Sequence, residues 1–177
     1  MSADAPVTED VAAGPSVWIC DFTDAEDRLA FARLMAEFAA EPVSASPQLG
    51  VEHFTLVADD LAQRAGTLVL FAAREGADDA EGILVAFEGY TTFGRAQLFN
   101  IHDVHVSPIA RGVGLGTLMI NALIDVANEH RFAKLTLEVS ASNARAIALY
   151  SRLGFTGLER VGDVVPVGAT YFISKKL

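Results

Sequence analysis

The sequence predicts an α/β domain: a mixed central β-sheet flanked by helices on both faces. Three observations carry this reading. Short apolar runs of strand-like composition alternate with longer runs whose apolar residues recur at helical spacing, the pattern of a layered α/β fold. A strand-like run from Leu98 to Val106 breaks at Ser107-Pro108, then passes through three alternating glycines straight into the helical pattern TLMINALIDVANEH. No internal repeat or low-complexity tract interrupts the 177 residues, so one domain accounts for the chain.

Each element has a local justification. Residues 1–14 are polar and acidic and read as a flexible tail, leaving 15–177 for the domain. Ser16 to Phe22 alternates as a strand, and Asp24 is placed to cap a helix through Leu29, Phe31, Leu34, Met35 and Phe38. Glu41-Pro42 to Gly50, with two prolines, reads as a loop, and Ala58 to Ala65 as a short helix. Thr67 to Ala73 and Gly82 to Phe87 are β-rich runs joined by the hairpin-like turn Glu75-Gly76-Ala77-Asp78-Asp79. After the strand ending at Val106 and the helix opening near Leu115 come a strand at Lys134 to Val139 and a helix at Ala144 to Leu153. A strand pair, Phe155 to Arg160 and Ala169 to Lys175, completes the order β-α-α-β-β-β-α-β-α-β-β.

Composition excludes several classes. With 51% hydrophobic and 20% charged residues the chain belongs with globular proteins. It has no apolar run near the roughly 20 residues that span a membrane. The acidic start lacks the basic and apolar segments of a secretory signal, so no membrane partner and a cytoplasmic location are expected. A net charge of −10 argues against nucleic acid and mildly favours a cationic substrate. The single Cys20 rules out an intramolecular disulfide and suits packing. Among the four histidines only His102-Asp103-x-His105 clusters, and strand alternation would put His102 on one face and Asp103 and His105 on the other, so no metal is implied.

The glycine loop carries the chemistry. Glycines between a strand and a helix bring backbone close to a ligand, and the first helical amides lack intrahelical partners, so the junction suits phosphate. A mononucleotide loop would need a lysine before its Ser or Thr, whereas Thr117 follows Gly116 directly. A dinucleotide fingerprint would need Gly-x-Gly-x-x-Gly and an acidic residue about twenty positions on. Here Gly112, Gly114 and Gly116 are spaced two and two, and the later position is Thr136.

What remains, Arg111-Gly112-Val113-Gly114-Leu115-Gly116, resembles the acetyl-coenzyme A pyrophosphate loop of the GNAT superfamily of N-acetyltransferases. Lys134 to Val139, then Asn143, Ala146, Leu149, Tyr150, Leu153, Gly154 and Phe155, match the family in order and spacing. The resemblance is strong from Leu98 to Phe155. Asn-Ile-His-Asp at 100–103, with Gly89-Tyr90-Thr91-Thr92-Phe93 upstream, is similar to a bacterial group within the family.

The resemblance implies a GNAT-like sheet, acetyl-CoA as cosubstrate, no metal, and transfer of an acetyl group to a primary amine of a small molecule or protein. Backbone amides from Arg111 through Gly112, Val113, Gly114, Leu115 and Gly116 to Thr117 would hold the pyrophosphate. Main-chain groups of Val104, His105 and Val106 would bind the pantetheine arm. Asn143, placed to cap the following helix, would also bond the cofactor. Tyr150, on the same helical face, would contact the cofactor and protonate the leaving thiolate; a buried structural tyrosine is the alternative. His102 takes the place where many relatives carry a glutamate base. A histidine ordinarily titrates near pH 6.5 and suits the task, while a hydrogen-bonded structural histidine remains the other reading. Relatives commonly dimerise through C-terminal strands, which makes a homodimer through Ala169 to Ile173 an expectation. The rival to an enzyme is a non-catalytic acyl-CoA-binding module.

Overall fold

The structure is a computed structural model that describes residues 14–41, 49–157 and 168–177. Six strands form one sheet in sequence order: β1 (Ser16–Ile19), β2 (Thr67–Ala73), β3 (Gly82–Thr91), β4 (Ala96–Val106), β5 (Lys134–Ser140) and β6 (Thr170–Lys176). Neighbours are antiparallel except β4 and β5, which run parallel and therefore need a crossover. Helix α3 (Leu115–Glu129) supplies it. The others are α1 (Ala25–Ala39) and α2 (Val51–Gln63), between β1 and β2, and α4 (Ala144–Arg152), between β5 and β6. No described helix is long and apolar enough to cross a membrane.

The sheet is buried on both faces, as the α/β prediction requires. Along β2, Leu70 and Ala72 enter a core with Met119, Ile120 and Leu123 of α3. Val69 and Phe71 enter a second core with Phe31, Leu34 and Met35 of α1 and Phe54 of α2. Alternate side chains of one strand thus feed two helical layers, which is why these strands read as continuous apolar runs.

Local signals explain most boundaries. Asp24 caps α1 by accepting from the amides of Glu26 (2.7 Å) and Asp27 (3.1 Å). β1 stops at Ile19, short of the expected Phe22. Cys20 then donates its amide to Val69 O (2.9 Å), and burial is the main cause that pushes its thiol up to about 12. Helix α2 begins at Val51, well ahead of the expected Ala58. Gly50 gives it no side-chain cap, and the β-branched Val51, Thr55 and Val57 weaken the helical signal that burial of Phe54 and Ala58 overrides. β3 runs on to Thr91 and makes a longer hairpin with β4 than its composition suggested. In the last predicted strand pair, β6 is present, while Thr156 makes only an isolated bridge with Ser174. Residues 158–160 of that pair, residues 1–13 of the expected tail and 42–48 of the proline-containing loop lie outside the described residues.

Candidate active site

β4 leads through Ser107 and one 3-10 turn, Pro108–Ala110, into the glycine loop. Gly112 (φ +89°) and Gly114 (φ +95°) adopt left-handed backbone, and Gly114 stands at the N-cap of α3 with no side-chain cap bond. Leu118 N donates to Gly114 O (2.9 Å), whereas the amides of residues 112–117 have no backbone partner among the described residues. A Cβ on Gly112 or Gly114 would meet nothing within 4 Å. Unpaired amides, open space and the positive end of a 15-residue helix together fit an anion.

From this loop a slot runs into the sheet. β4 and β5 pair only from Leu98↔Lys134 to Ile101↔Leu137. Beyond that point β4 stays with β3 as far as Val106, and β5 stays with β6 as far as Ser140. The Val106 carbonyl accepts from Arg111 Nε (2.8 Å) and so lies on the slot side, and strand alternation puts the main-chain groups of Val104 there too. His105 differs from expectation: its carbonyl faces β3, 3.5 Å from where a Cβ on Gly82 would sit, and its ring packs on Phe38. Val104 and Val106 therefore form the slot edge.

A β-bulge re-aims the histidine. Asp103 pairs with Val85 and Ile101 with Ala86, leaving His102 as the extra residue. The cross-strand partners of Asp103 and His105 are Val85 and Ile83, both in the core beneath α1 and α2, and the His102 ring lies 5.4 Å edge-on from Phe87 beside that core. All three side chains consequently share one face. The expected separation of His102 from Asp103 and His105 is corrected: regular alternation fails wherever one residue is inserted. His102 Nδ1 lies 3.3 Å from Asp103 Oδ2, and burial pushes the Asp103 carboxyl up against the opposing pull of the His102 ring. No group of three or more His, Cys, Asp or Glu side chains suited to a metal ion stands among the described residues.

Helix α4 supplies the opposite wall. Asn143 caps it by accepting from Ala146 N (3.1 Å). Tyr150, 6% exposed, packs edge-on against Phe155 at 5.4 Å, and its hydroxyl has no hydrogen-bond partner among the described residues. Burial pushes its phenol up to about 12, so it holds its proton at neutral pH. A cavity of about 380 Å³ brings Tyr150 together with His102, Asp103 and Glu138, beside Phe38 of α1 and Phe54 of α2. A second, of about 850 Å³, follows the glycine loop and α4. The two share Phe38, Val104, Asn143, Ala146 and Tyr150, which places the tyrosine where they meet.

Among the cavity residues that were not singled out as site residues from the sequence are Glu138, Arg145 and Arg152. Glu138 faces the smaller cavity because period two turns it away from buried Leu137 and Val139, a signal present in the sequence. Arg145 and Arg152 line the larger one from α4 and have no charged partner among the described residues. Arg111 has its side chain occupied by Val106 O and by Glu41 and its amide by Pro108 O (3.4 Å), so the expected phosphate contact at Arg111 is corrected and falls to the amides of residues 112–117.

The profile of the acetyltransferase (GNAT) family matches residues 31–155. The [ribosomal protein bS18]-alanine N-acetyltransferase of Escherichia coli K12 is 50% identical over 60 residues, 34% of this chain and 38% of the relative. Streptothricin acetyltransferase of Streptomyces lavendulae is 37% identical over 76 residues, 43% of this chain and 40% of the relative. The chain thus spans at most two fifths of the length of either relative. Among solved structures, a putative acetyltransferase, yncA, from Salmonella typhimurium with its cofactor acetyl-CoA superposes at a TM-score of 0.67 with 20% identity, covering 92% of this chain and 93% of its own. That likeness is one of fold. The matched segment takes in α1 from Phe31 onward, the slot, the glycine loop and the Asn143–Tyr150 helix, and the chain belongs to the GNAT acetyltransferase family.

Proposed function

We propose that the protein is an acetyl-CoA-dependent N-acetyltransferase acting on a primary amine of a small molecule or protein. The observation that carries this is continuity: unpaired loop amides, the edge of a parted strand pair and an unpartnered tyrosine lie along joined cavities. The residues present fit acetyl-CoA. Amides 112–117 would hold its pyrophosphate, Val104 and Val106 its pantetheine arm, and Arg145 and Arg152 add positive charge to the same cavity.

When bound, acetyl-CoA supplies the thioester whose acetyl carbon is transferred. His102 takes a proton from the incoming ammonium, directly or through water. In the tautomer whose Nδ1–H donates to Asp103, Nε2 is the accepting atom. Tyr150 gives its proton to the departing sulfur. The free amine forms the new N–C bond as the C–S bond breaks, and the amide nitrogen loses its remaining extra proton to restore the tyrosine.

A screen of amines and N-terminal peptides for thiol release from acetyl-CoA tests the reading. It should contain both a protein alanine N-terminus and streptothricin, because relatives are named for each. Binding of acetyl-CoA without thiol release across the panel would identify the acyl-CoA-binding module instead. The base has its own test. Under conditions where chemistry limits the rate, His102→Ala should slow turnover and remove the acid limb of the wild-type pH–rate profile. A wild-type limb surviving unchanged in the variant would remove His102 from that role.

The proposal extends to a homodimer through β6, the last strand of the sheet, whose outer side is bonded among the described residues by Thr156 at Ser174. Light scattering at micromolar concentration should give twice the chain mass. A monomer mass overturns the assembly.

A further inference from the structure

Behind the glycine loop lies a polar cluster that the acetyl-transfer chemistry does not use. Glu37, in α1, and Glu41, just past its end, flank the buried His105 ring: Glu37 Oε2 lies 3.3 Å from Nε2, and Glu41 Oε1 lies 3.3 Å from Nδ1. The Nε2 contact lacks hydrogen-bond alignment. Ser107 Oγ donates to Glu37 Oε2 (2.6 Å). Arg111 donates through Nε to Val106 O (2.8 Å) and through its terminal nitrogen to Glu41. The cluster therefore joins the C-terminal end of α1, the end of β4 and the first residue of the phosphate loop.

Its position raises an electrostatic contradiction. Glu41 lines the cavity assigned above to an anionic cofactor, where a carboxylate should repel phosphate, and it occupies the one guanidinium on the loop itself. On charge alone this residue is harmful to binding. Geometry gives it a use: the bidentate reach of Arg111, to Val106 O on one side and Glu41 on the other, fixes the loop against both β4 and α1. The same helix lends Met35, Phe38 and Ala39 to the cavity that holds His102 and Tyr150.

We infer that Glu41 is a positioning residue for the cofactor: acting through Arg111, it locks the phosphate loop to α1, and the loop amides gain more from that order than the phosphates lose to its charge. The inference rests on the acetyl-CoA reading above. It also makes α1 a shared wall, tied down at the phosphate end and presenting side chains at the acceptor end.

The test turns on a sign. Acetyl-CoA affinity is measured by calorimetry for wild type, Glu41→Ala, Arg111→Ala and the double variant, with melting temperatures taken alongside. Removing a carboxylate beside bound phosphates should tighten binding if charge dominates, and more so if it frees Arg111 for the ligand. The inference expects the opposite: Kd rises about tenfold or more in Glu41→Ala, as misplacement of a preorganised site does. Arg111→Ala should show a similar rise and the double variant no further loss, because both changes break one unit. A Kd in Glu41→Ala at or below wild type overturns the inference while leaving the cofactor reading intact, and so do additive losses in the double variant. If Glu41→Ala is unfolded, Glu41→Gln keeps the side-chain size and must still weaken binding, with Glu41→Asp restoring part of it; tighter binding in Gln overturns the inference. Wild-type protein that fails to bind acetyl-CoA removes both readings.

Discussion

Replacing Tyr150 by phenylalanine should lower turnover by roughly 10²–10⁴-fold, the range that a general acid contributes, with little change in acetyl-CoA affinity. The ring is buried and edge-on to Phe155, and phenylalanine reproduces that packing. The hydroxyl has no hydrogen-bond partner among the described residues, so its removal strands no buried group and should leave the melting temperature essentially unchanged. What is lost is a proton. Burial pushes the phenol up to about 12, so the group still carries its proton when the C–S bond breaks; a thiolate is the weaker base, and the transfer is completed because the far more acidic proton on the new amide nitrogen restores the tyrosine. A tyrosine that only fills space would give a different result: unchanged turnover with unchanged stability. The comparison needs chemistry to be rate-limiting, which single-turnover measurement establishes. A near-normal single-turnover rate for the variant would remove the acid role.

The parts of this site that the sequence reveals are those with local causes. Gly112 and Gly114 are legible because left-handed backbone at a strand-to-helix junction favours that residue type, and Asp24 and Asn143 because capping has a short-range signature. The start of α2 is not legible, since Gly50 offers no cap bond and tertiary burial of Phe54 and Ala58 decides the matter. The bulge at His102 is hidden for a related reason. The run Ile-His-Asp-Val-His-Val contains no glycine or proline to mark an inserted residue, and the insertion is defined by register against β3 between Val85 and Ala86. Period two applied to β4 consequently misplaces Asp103 relative to His102. The commitment of Arg111 to Glu41 is non-local in the same way, the partners standing 70 positions apart in the chain. Local rules thus find the loop and the caps, the family resemblance supplies the tyrosine, and strand register and long-range charge pairing determine which side chains meet.

Gly114→Val should abolish stabilisation by acetyl-CoA while the protein still folds. Two effects act on this variant, and a control separates them. Valine at φ +95° is strained by roughly 1–3 kcal/mol wherever it occurs. At roughly 2–4 °C per kcal/mol for a chain of this size, that alone lowers the melting temperature by several degrees. Gly76→Val, at φ +72° in the β2–β3 turn with open space around its Cβ and no part in either cavity, should show the same kind of loss. The ligand response distinguishes them. At 100 times Kd, a ligand that binds only native protein adds about 2.7 kcal/mol, so wild type and Gly76→Val should both gain several degrees with acetyl-CoA. ATP and NAD should give no such gain. In Gly114→Val the branched side chain enters the empty space above the unpaired amides of residues 112–117, where the phosphates must approach, and the gain should vanish. A full acetyl-CoA shift in Gly114→Val would move the cofactor away from this loop. Loss of the shift in Gly76→Val as well would show that backbone strain, rather than occupation of the phosphate site, controls the response.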